Sequence, residues 1–277
     1  MGIYLRPTEI EEAVAALAAR PLTILAGGTD FYPARVGKPL ADDVLDVTAL
    51  AALRGIVEHE RSFRIGAAVR WSELVSAELP PWFACLTLAA REIGGRQIQN
   101  AGTLAGNVCN ASPAADGVPP LLALGAEVEI ASRVGARRVP LATFITGNRR
   151  TVLIPGELVV AIHVPEPAHP ARSAFLKLGS RRYLVISIVM AAATLEIADG
   201  RIVSARVAVG ACSAVAQRLP ALEAALAGAA LDAGLGSKVE PGHLAPLAPI
   251  DDVRGSAGYR TDASLTVLRR LLQGFAP

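Results

Sequence analysis

Residues 25–30 read LAGGTD and residues 103–107 read TLAGN, and these two stretches carry most of the information in the chain. Glycine adopts positive φ readily and has no side chain, so successive backbone amides can turn towards a bound anion. Thr29, Thr103 and Asn107 add hydroxyl and amide donors. Each stretch alone is equally typical of a tight turn. Together they predict a divided phosphate-binding site formed by two glycine loops.

The chain lacks the two commonest nucleotide-binding signatures. No GxGxxG pattern follows the first predicted strand, residues 22–25, and no glycine loop ends in the Lys-Ser or Lys-Thr of a P-loop. These absences argue against a Rossmann fold and against a nucleotide hydrolase. The four histidines are scattered without ligand spacing, and no residues form a catalytic triad or an acid–base pair. The sequence therefore favours chemistry carried by a cofactor.

The composition is that of a globular protein, and it argues against nucleic acid as a partner. Of the 277 residues, 52% are hydrophobic, and the formal net charge is +2 without a block of like charges. The three cysteines, Cys85, Cys109 and Cys212, contain no CxxC pair, so they supply no ligand set for zinc or an iron–sulfur cluster. We expect three buried, reduced thiols and no metal site.

The N-terminal residues MGIYLRPTEIEEAV carry glutamates where a secretory signal would be apolar. The longest apolar stretch, residues 183–195, is interrupted by Ser187 and Thr194. It is also shorter than the ~20 residues that span a bilayer. The sequence therefore predicts a cytoplasmic protein with no membrane span.

Hydrophobic periodicity predicts a mixture of helices and strands. The predicted helices are 9–19, opened by a Thr8–Glu11 capping box, then 72–76, 85–92, 119–124, 220–227 and 264–272. The predicted strands include 22–25, 44–47, 127–131, 137–139 and 157–164, and Asp199-Gly200 predicts a hairpin turn. Asp30 is expected to cap a short helix after the first glycine loop.

A proline cluster at Pro165, Pro167 and Pro170 predicts a linker, because proline sustains neither a helix nor a strand ladder. We expect a first domain over residues 1–168, with subdomains of about 1–53 and 54–168, and a second domain over residues 173–277.

Four segments resemble, in order, the FAD-binding medium subunit of molybdenum hydroxylases, the group that includes xanthine dehydrogenase and carbon monoxide dehydrogenase. They are LAGGTDFYP at 25–33, GGRQIQNAGTLAGNVCNASPAAD at 94–116, PGELV at 155–159 and KLGSRR at 177–182. The resemblance implies an α+β fold. It consists of a two-subdomain FAD-binding fold of the vanillyl-alcohol oxidase/PCMH type, followed by a C-terminal domain with an antiparallel sheet and helices.

The resemblance also implies FAD between the two subdomains, with its phosphates at the two glycine loops. No histidine lies in a motif that would attach flavin covalently, so we expect the FAD to be held noncovalently. Asp116 would contact FAD, Val159 would lie against it, and Lys177 would stabilise negative charge near the flavin ring. Helix capping by Asp116, core packing by Val159 and an exposed Lys177 stay open as alternatives. The expected cofactor-binding residues are Ala26, Gly27, Gly28, Thr29, Asp30, Thr103, Leu104, Ala105, Gly106, Asn107, Asp116, Val159 and Lys177.

The function implied by the resemblance is electron transfer within a multi-subunit oxidoreductase. FAD would take electrons from [2Fe-2S] clusters in a small partner subunit and pass them to NAD or another acceptor. A large partner subunit would hold the molybdenum–pterin cofactor, and the heterotrimers would pair as dimers. Two other interpretations stay open: a self-contained flavin-dependent oxidoreductase with the same FAD fold, and a non-enzymatic assembly subunit.

Overall fold

The structure is a computed structural model that describes residues 2–37 and 41–276. Its α-helices are α1 (Ile10–Ala19), α2 (Trp71–Ser76), α3 (Ala84–Glu92), α4 (Arg96–Ala101), α5 (Leu104–Asn110), α6 (Val118–Ala123), α7 (Leu141–Phe144), α8 (Pro220–Leu226) and α9 (Ala257–Gln273). Short 3-10 turns occur at Pro33–Arg35, Ala51–Leu53, Pro81–Phe83, Leu235–Lys238 and Pro241–Leu244.

The strands form several separate sheets. They are β1 (Tyr4–Leu5), β2 (Thr23–Leu25), β3 (Val44–Asp46), β4 (Ile56–His59), β5 (Ser62–Gly66), β6 (Glu127–Ser132), β7 (Gly135–Pro140), β8 (Ile145–Gly147), β9 (Arg150–Thr151), β10 (Leu158–Pro165), β11 (Ala171–Leu178), β12 (Val189–Ala198), β13 (Arg201–Gly210) and β14 (Gln217–Arg218). This mixture of helices and mainly antiparallel sheets confirms the predicted α+β class.

The first sheet contains three parallel strands in the order β1-β3-β2. Parallel strands end at a common edge of their sheet, so the residues that follow β2 leave the sheet at the same edge as those that follow β3. The first glycine loop, residues 26–30, follows β2 directly. The topology therefore places this loop at the carboxyl edge of a small parallel sheet.

Helix α1 begins one residue later than predicted. Its N-cap is Glu9, and no side chain caps it. The predicted Thr8–Glu11 capping box is wrong: the backbone amide of Thr8 donates to Glu12 instead, at 3.4 Å. Because the helix begins at Ile10, the carboxylate one position further along is the one that reaches back.

The second sheet contains five antiparallel strands in the order β4-β5-β10-β6-β7. Its central strand, β10, is buried from Leu158 to Val164, which explains the long apolar run in its sequence. The register of β10 against β6 shifts between Val159 and Ala161. Val159 therefore lies at an irregular point near the start of the central strand.

The third sheet is antiparallel, in the order β11-β12-β13-β14, and its strand β12 is buried on both faces. Met190 and Ala192 of β12 belong to the same core as the first two sheets, whereas Ala191 and Ala193 belong to a second core with α8 and α9. This alternation follows from the two-residue repeat of a strand. Asp199 and Gly200 both have positive φ, at 50° and 70°, which confirms the predicted hairpin turn.

Helix α9 begins at Ala257, seven residues before the predicted start. Its N-cap is Ser256, whose hydroxyl accepts from the amide of Tyr259 at 3.2 Å. The first turns carry polar residues, so hydrophobic periodicity does not reveal them. One of these polar residues, Arg260, is nevertheless 1% exposed. Among residues 2–37 and 41–276, no helix combines the length and apolar character needed to cross a bilayer.

Candidate functional site

A cleft of about 690 Å³ is bordered by the end of β2, the start of α5 and the start of β10. Its volume lies within the range of ~300–1,000 Å³ that is typical of small-molecule and cofactor sites. Ten of the predicted binding residues line it: Ala26, Gly27, Gly28, Thr29, Asp30, Thr103, Ala105, Gly106, Asn107 and Val159. The fold therefore brings together residues that are far apart in the sequence.

The first glycine loop needs both of its glycines, for different reasons. A Cβ at Gly27 would lie 2.0 Å from the carbonyl oxygen of Ala101, because the loop packs directly on the backbone before α5. Gly28 has φ +70°, and a Cβ there would lie 2.6 Å from the ring of Tyr32. Gly27 thus permits a close approach of two backbone segments, and Gly28 permits a left-handed turn.

The backbone amides of this loop are available to a ligand. Within the described part of the chain, the N–H groups of residues 27–30 donate no hydrogen bond to the protein. The turn that they form is the kind of backbone arrangement that binds anions. The prediction that Asp30 caps a short helix is wrong. The 3-10 turn at Pro33–Arg35 has Tyr32 as its N-cap, and no side chain caps it.

The second glycine stretch is not a loop, and this part of the prediction is wrong. Thr103 is the N-cap of α5, and its hydroxyl accepts from the amide of Gly106 at 3.1 Å. A Cβ at Gly106 would lie 2.6 Å from that hydroxyl, so glycine allows the cap to close. The helix has only seven residues, which is too short to show a hydrophobic repeat.

One face of α5 borders the cleft and the other lies in the core. Gly106, Asn107 and Asn110 line the cleft, whereas Leu104 is fully buried. The start of the helix is fixed by backbone bonds, since the amide of Leu104 donates to Val69 at 3.0 Å. Of the predicted residues in this segment, Leu104 alone lies in the core and away from the cleft surface.

Asp116 and Lys177 form an ion pair that is not part of the cleft lining. Lys177 Nζ lies 2.7 Å from Asp116 Oδ2, and the two side chains are 5% and 10% exposed. The hydroxyl of Ser187 donates to the other carboxylate oxygen of Asp116. Burial raises the pKa of Asp116, and the charge of Lys177 opposes that rise. Neither residue lines the cleft, so both contacts with FAD stay predictions.

The structure does not agree with the two alternative interpretations, helix capping by Asp116 and an exposed Lys177. Helix α6 has Gly117 as its N-cap, with no side-chain hydrogen bond, so Asp116 is not a cap. The side chain of Lys177 is not solvated. The amide of Gly117 donates to Asn107 Oδ1 at 3.2 Å, which links the segment after Asp116 to the wall of the cleft.

The cleft lining also contains residues that sequence reasoning did not select, and Trp71, Cys109 and Arg149 are three of them. Trp71 is 2% exposed and packs against Gly117. Cys109 lines the cleft instead of lying wholly in the core; burial raises the pKa of its thiol to about 12, so the thiol stays protonated. Arg149 occupies the turn between β8 and β9 with φ +59°. No local sequence pattern indicates an arginine at a left-handed position.

Comparison with known protein families identifies the family of this chain. The model described as "FAD binding domain in molybdopterin dehydrogenase" matches residues 1–167. The chain belongs to this family. A second model, "CO dehydrogenase flavoprotein C-terminal domain", matches residues 174–275. The predicted resemblance is confirmed: this member of the FAD-binding family is an oxidoreductase subunit of the molybdenum hydroxylase type.

Relatives of this FAD-binding subunit match over nearly its whole length. It is 33% identical over 285 residues to the carbon monoxide dehydrogenase medium chain of Afipia carboxidovorans, with 98% of this chain and 95% of that one covered. It is 30% identical over 274 residues to the xanthine dehydrogenase FAD-binding subunit of Escherichia coli O157:H7, with 97% and 94% covered. The structure of carbon monoxide dehydrogenase from Hydrogenophaga pseudoflava matches with a TM-score of 0.88 at 28% identity, covering 99% and 96%.

The residues of the cleft fit FAD. The amides of residues 27–30, which donate to no other described residue, and the threonine hydroxyls supply donors for a diphosphate. Apolar groups supply a surface for rings, among them Ile98, Leu158 and Val159. The volume accommodates a ligand much larger than a single phosphate.

Proposed function

We propose that this chain carries electrons through FAD between an iron–sulfur subunit and a final acceptor. Electrons would arrive from [2Fe-2S] clusters in a small partner chain, after substrate oxidation at a molybdenum–pterin centre in a large partner chain. NAD or another acceptor would take them up. The assembly would be a dimer of heterotrimers, and the FAD would be held noncovalently.

One observation carries the proposal: the glycine loop after β2 lines a cleft of cofactor size, and its amides donate to no other described residue. The predicted residues that line the cleft would bind FAD through these amides, through Thr29 and Thr103, and through the apolar surface at Val159. When bound, FAD supplies one- and two-electron redox chemistry that ordinary side chains lack.

Lys177 and Asp116 have a different role in the proposal. Their buried pair places a fixed positive charge beside a carboxylate, and the hydrogen bond from Gly117 to Asn107 links the segment after Asp116 to the cleft wall. A cation close to the ring system would favour the reduced, negatively charged flavin. We also keep the proposed division into residues 1–168 and 173–277, with FAD bound by the first part.

The first test is FAD binding by the full chain expressed alone. We expect saturable binding, a rise in the midpoint of thermal unfolding with FAD concentration, and release of unmodified flavin on acid precipitation. A chain that binds no FAD would contradict the proposed function. Flavin that stays with the precipitated chain would contradict noncovalent attachment.

The second test separates electron transfer from independent catalysis. The chain loaded with FAD is assayed on purines, aldehydes and other heterocycles, first alone and then with its two partner chains. We expect no oxidation by the chain alone and turnover by the complex. Oxidation of an organic substrate by the chain alone would support a self-contained oxidoreductase. Anaerobic reduction followed by mixing with NAD, oxygen or a quinone then identifies the acceptor.

A further inference from the structure

Two arginines, Arg35 and Arg149, are the basic residues among the described residues that line the cleft. Arg35 is already neutralised: its guanidinium makes two hydrogen bonds to Asp42, at 2.7 and 2.6 Å, and lies 3.8 Å from the centre of the Phe31 ring. Such a two-point contact fixes both the charge and the orientation of a guanidinium. Arg35 therefore has little capacity left for a ligand.

Arg149 is held much more loosely. Its nearest carboxylate is Asp30 in the glycine loop, 3.9 Å from Nη1, and its side chain is 54% exposed. The same Nη1 donates to the side-chain oxygen of Asn110 at the end of α5. The guanidinium therefore lies between the glycine loop and α5, and among the described residues only its Nη1 donates a hydrogen bond.

The backbone at Arg149 is strained. Its φ is +59°, a left-handed conformation that glycine or asparagine adopts at lower cost. Its amide donates to the carbonyl oxygen of Ala111 at 2.9 Å, which fixes the turn against the end of α5. Strain of this kind, kept by the surrounding structure, is a feature of binding sites.

We propose that Arg149 binds the diphosphate of FAD and that Asp30 positions its guanidinium at the cleft in the absence of FAD. This inference rests on the proposed function. A planar guanidinium suits phosphate oxygens, and it offsets the negative charge that Asp30 places beside the phosphate-binding amides. On FAD binding, the guanidinium exchanges a loose contact with Asp30 for a shorter contact with phosphate.

The test compares ligands with and without phosphate on variants of the full chain. FAD and ADP carry the diphosphate, whereas riboflavin and adenosine lack it. The variants are Arg149→Gln, which removes the charge, and Arg149→Gly, which also relieves the left-handed strain. The matched control is Arg150→Gln: it changes the net charge equally, and Arg150 does not line the cleft.

We expect Arg149→Gln and Arg149→Gly to bind FAD and ADP roughly 10- to 100-fold more weakly, the range of one charged hydrogen-bonded contact. Affinity for riboflavin and adenosine stays within about twofold, as does every affinity of Arg150→Gln. The affinity of the two Arg149 variants for FAD also depends less on salt concentration. Unchanged FAD affinity in Arg149→Gln, or an equal loss for riboflavin, would overturn the inference.

A further variant tests the role of Asp30. In the Arg149→Gln background, Asp30→Asn removes a carboxylate that repels the diphosphate, so FAD affinity is partly restored. No restoration would exclude Asp30 as the charge that Arg149 offsets. Failure of wild-type chain to bind FAD would instead contradict the proposed function, so the two failures are distinguishable.

Discussion

The glycine loop at residues 27–30 and the Asp116–Lys177 pair differ in whether their polar groups have partners within the protein. Among the described residues, the loop leaves its amides without protein partners at the edge of an open cleft. The pair is almost fully buried, and it satisfies itself with a 2.7 Å contact and a hydroxyl from Ser187. Amides without a protein partner can donate to a ligand, whereas a buried ion pair holds its two charges in fixed positions.

Breaking the buried pair has the largest expected effect. Lys177→Ala leaves the Asp116 carboxylate buried with only Ser187 as a partner, and we expect a loss of about 3–5 kcal/mol in the free energy of unfolding. Urea denaturation measures it, with Lys238→Ala, an exposed lysine, as the control. A loss below about 1 kcal/mol would mean that the pair contributes no more than a surface ion pair.

Gly27→Ala tests the contact between the two segments. The new Cβ would lie 2.0 Å from the backbone oxygen of Ala101, so the loop has to move away from α4 and α5. We expect a destabilisation of about 1–3 kcal/mol, as for other over-packed positions, together with weaker FAD binding. Thermal unfolding and FAD titration measure the two effects. Wild-type FAD affinity in this variant would show that the spacing of the segments is not needed for binding.

Gly28→Ala tests whether the left-handed turn serves the ligand. Gly28 and Gly200 both have φ +70°, but Gly200 has open space around its Cβ position and does not line the cleft. Both alanine variants should lose about 1–2 kcal/mol from backbone strain. The Gly28 variant has an additional contact with the Tyr32 ring. FAD affinity should fall in the Gly28→Ala protein alone; an equal fall in both would attribute the effect to stability.

The sequence predicts more of the glycine loop than of its surroundings, for a physical reason. The glycines at 27 and 28 indicate a backbone that needs a close approach or a positive φ, and the structure has both features at these positions. The helical character of residues 104–110 was missed because a seven-residue helix has too few turns to show a pattern. The contact of Asp116 with Lys177 spans 61 positions, and only the tertiary fold brings the two together.

Arg149 lies beyond sequence reasoning for the same reason. Its value to the site depends on the turn between β8 and β9 being docked on Ala111, and no local pattern encodes that docking. The family resemblance, by contrast, was readable from four short segments, and it was confirmed over nearly the whole chain. Motifs therefore identify the family here, while the charges that border the cleft become visible only in three dimensions.

The pH dependence of stability gives the smallest expected effect, and it tests the buried pair alone. Burial raises the pKa of Asp116 above its ordinary value, so the folded state takes up a proton at a higher pH than the unfolded state. Between the two pKa values, this residue therefore makes the protein more stable as the pH falls, by at most about 1.4 kcal/mol per pH unit.

Asp116→Asn removes that proton uptake. The difference in unfolding free energy between wild type and Asp116→Asn should therefore shift in favour of wild type as the pH falls from neutral towards the ordinary aspartate value. Urea denaturation at a series of pH values measures this difference, and other carboxylates cancel because both proteins contain them. A difference for Asp116→Asn that shifts the other way would mean that Lys177 outweighs burial and holds the carboxylate charged.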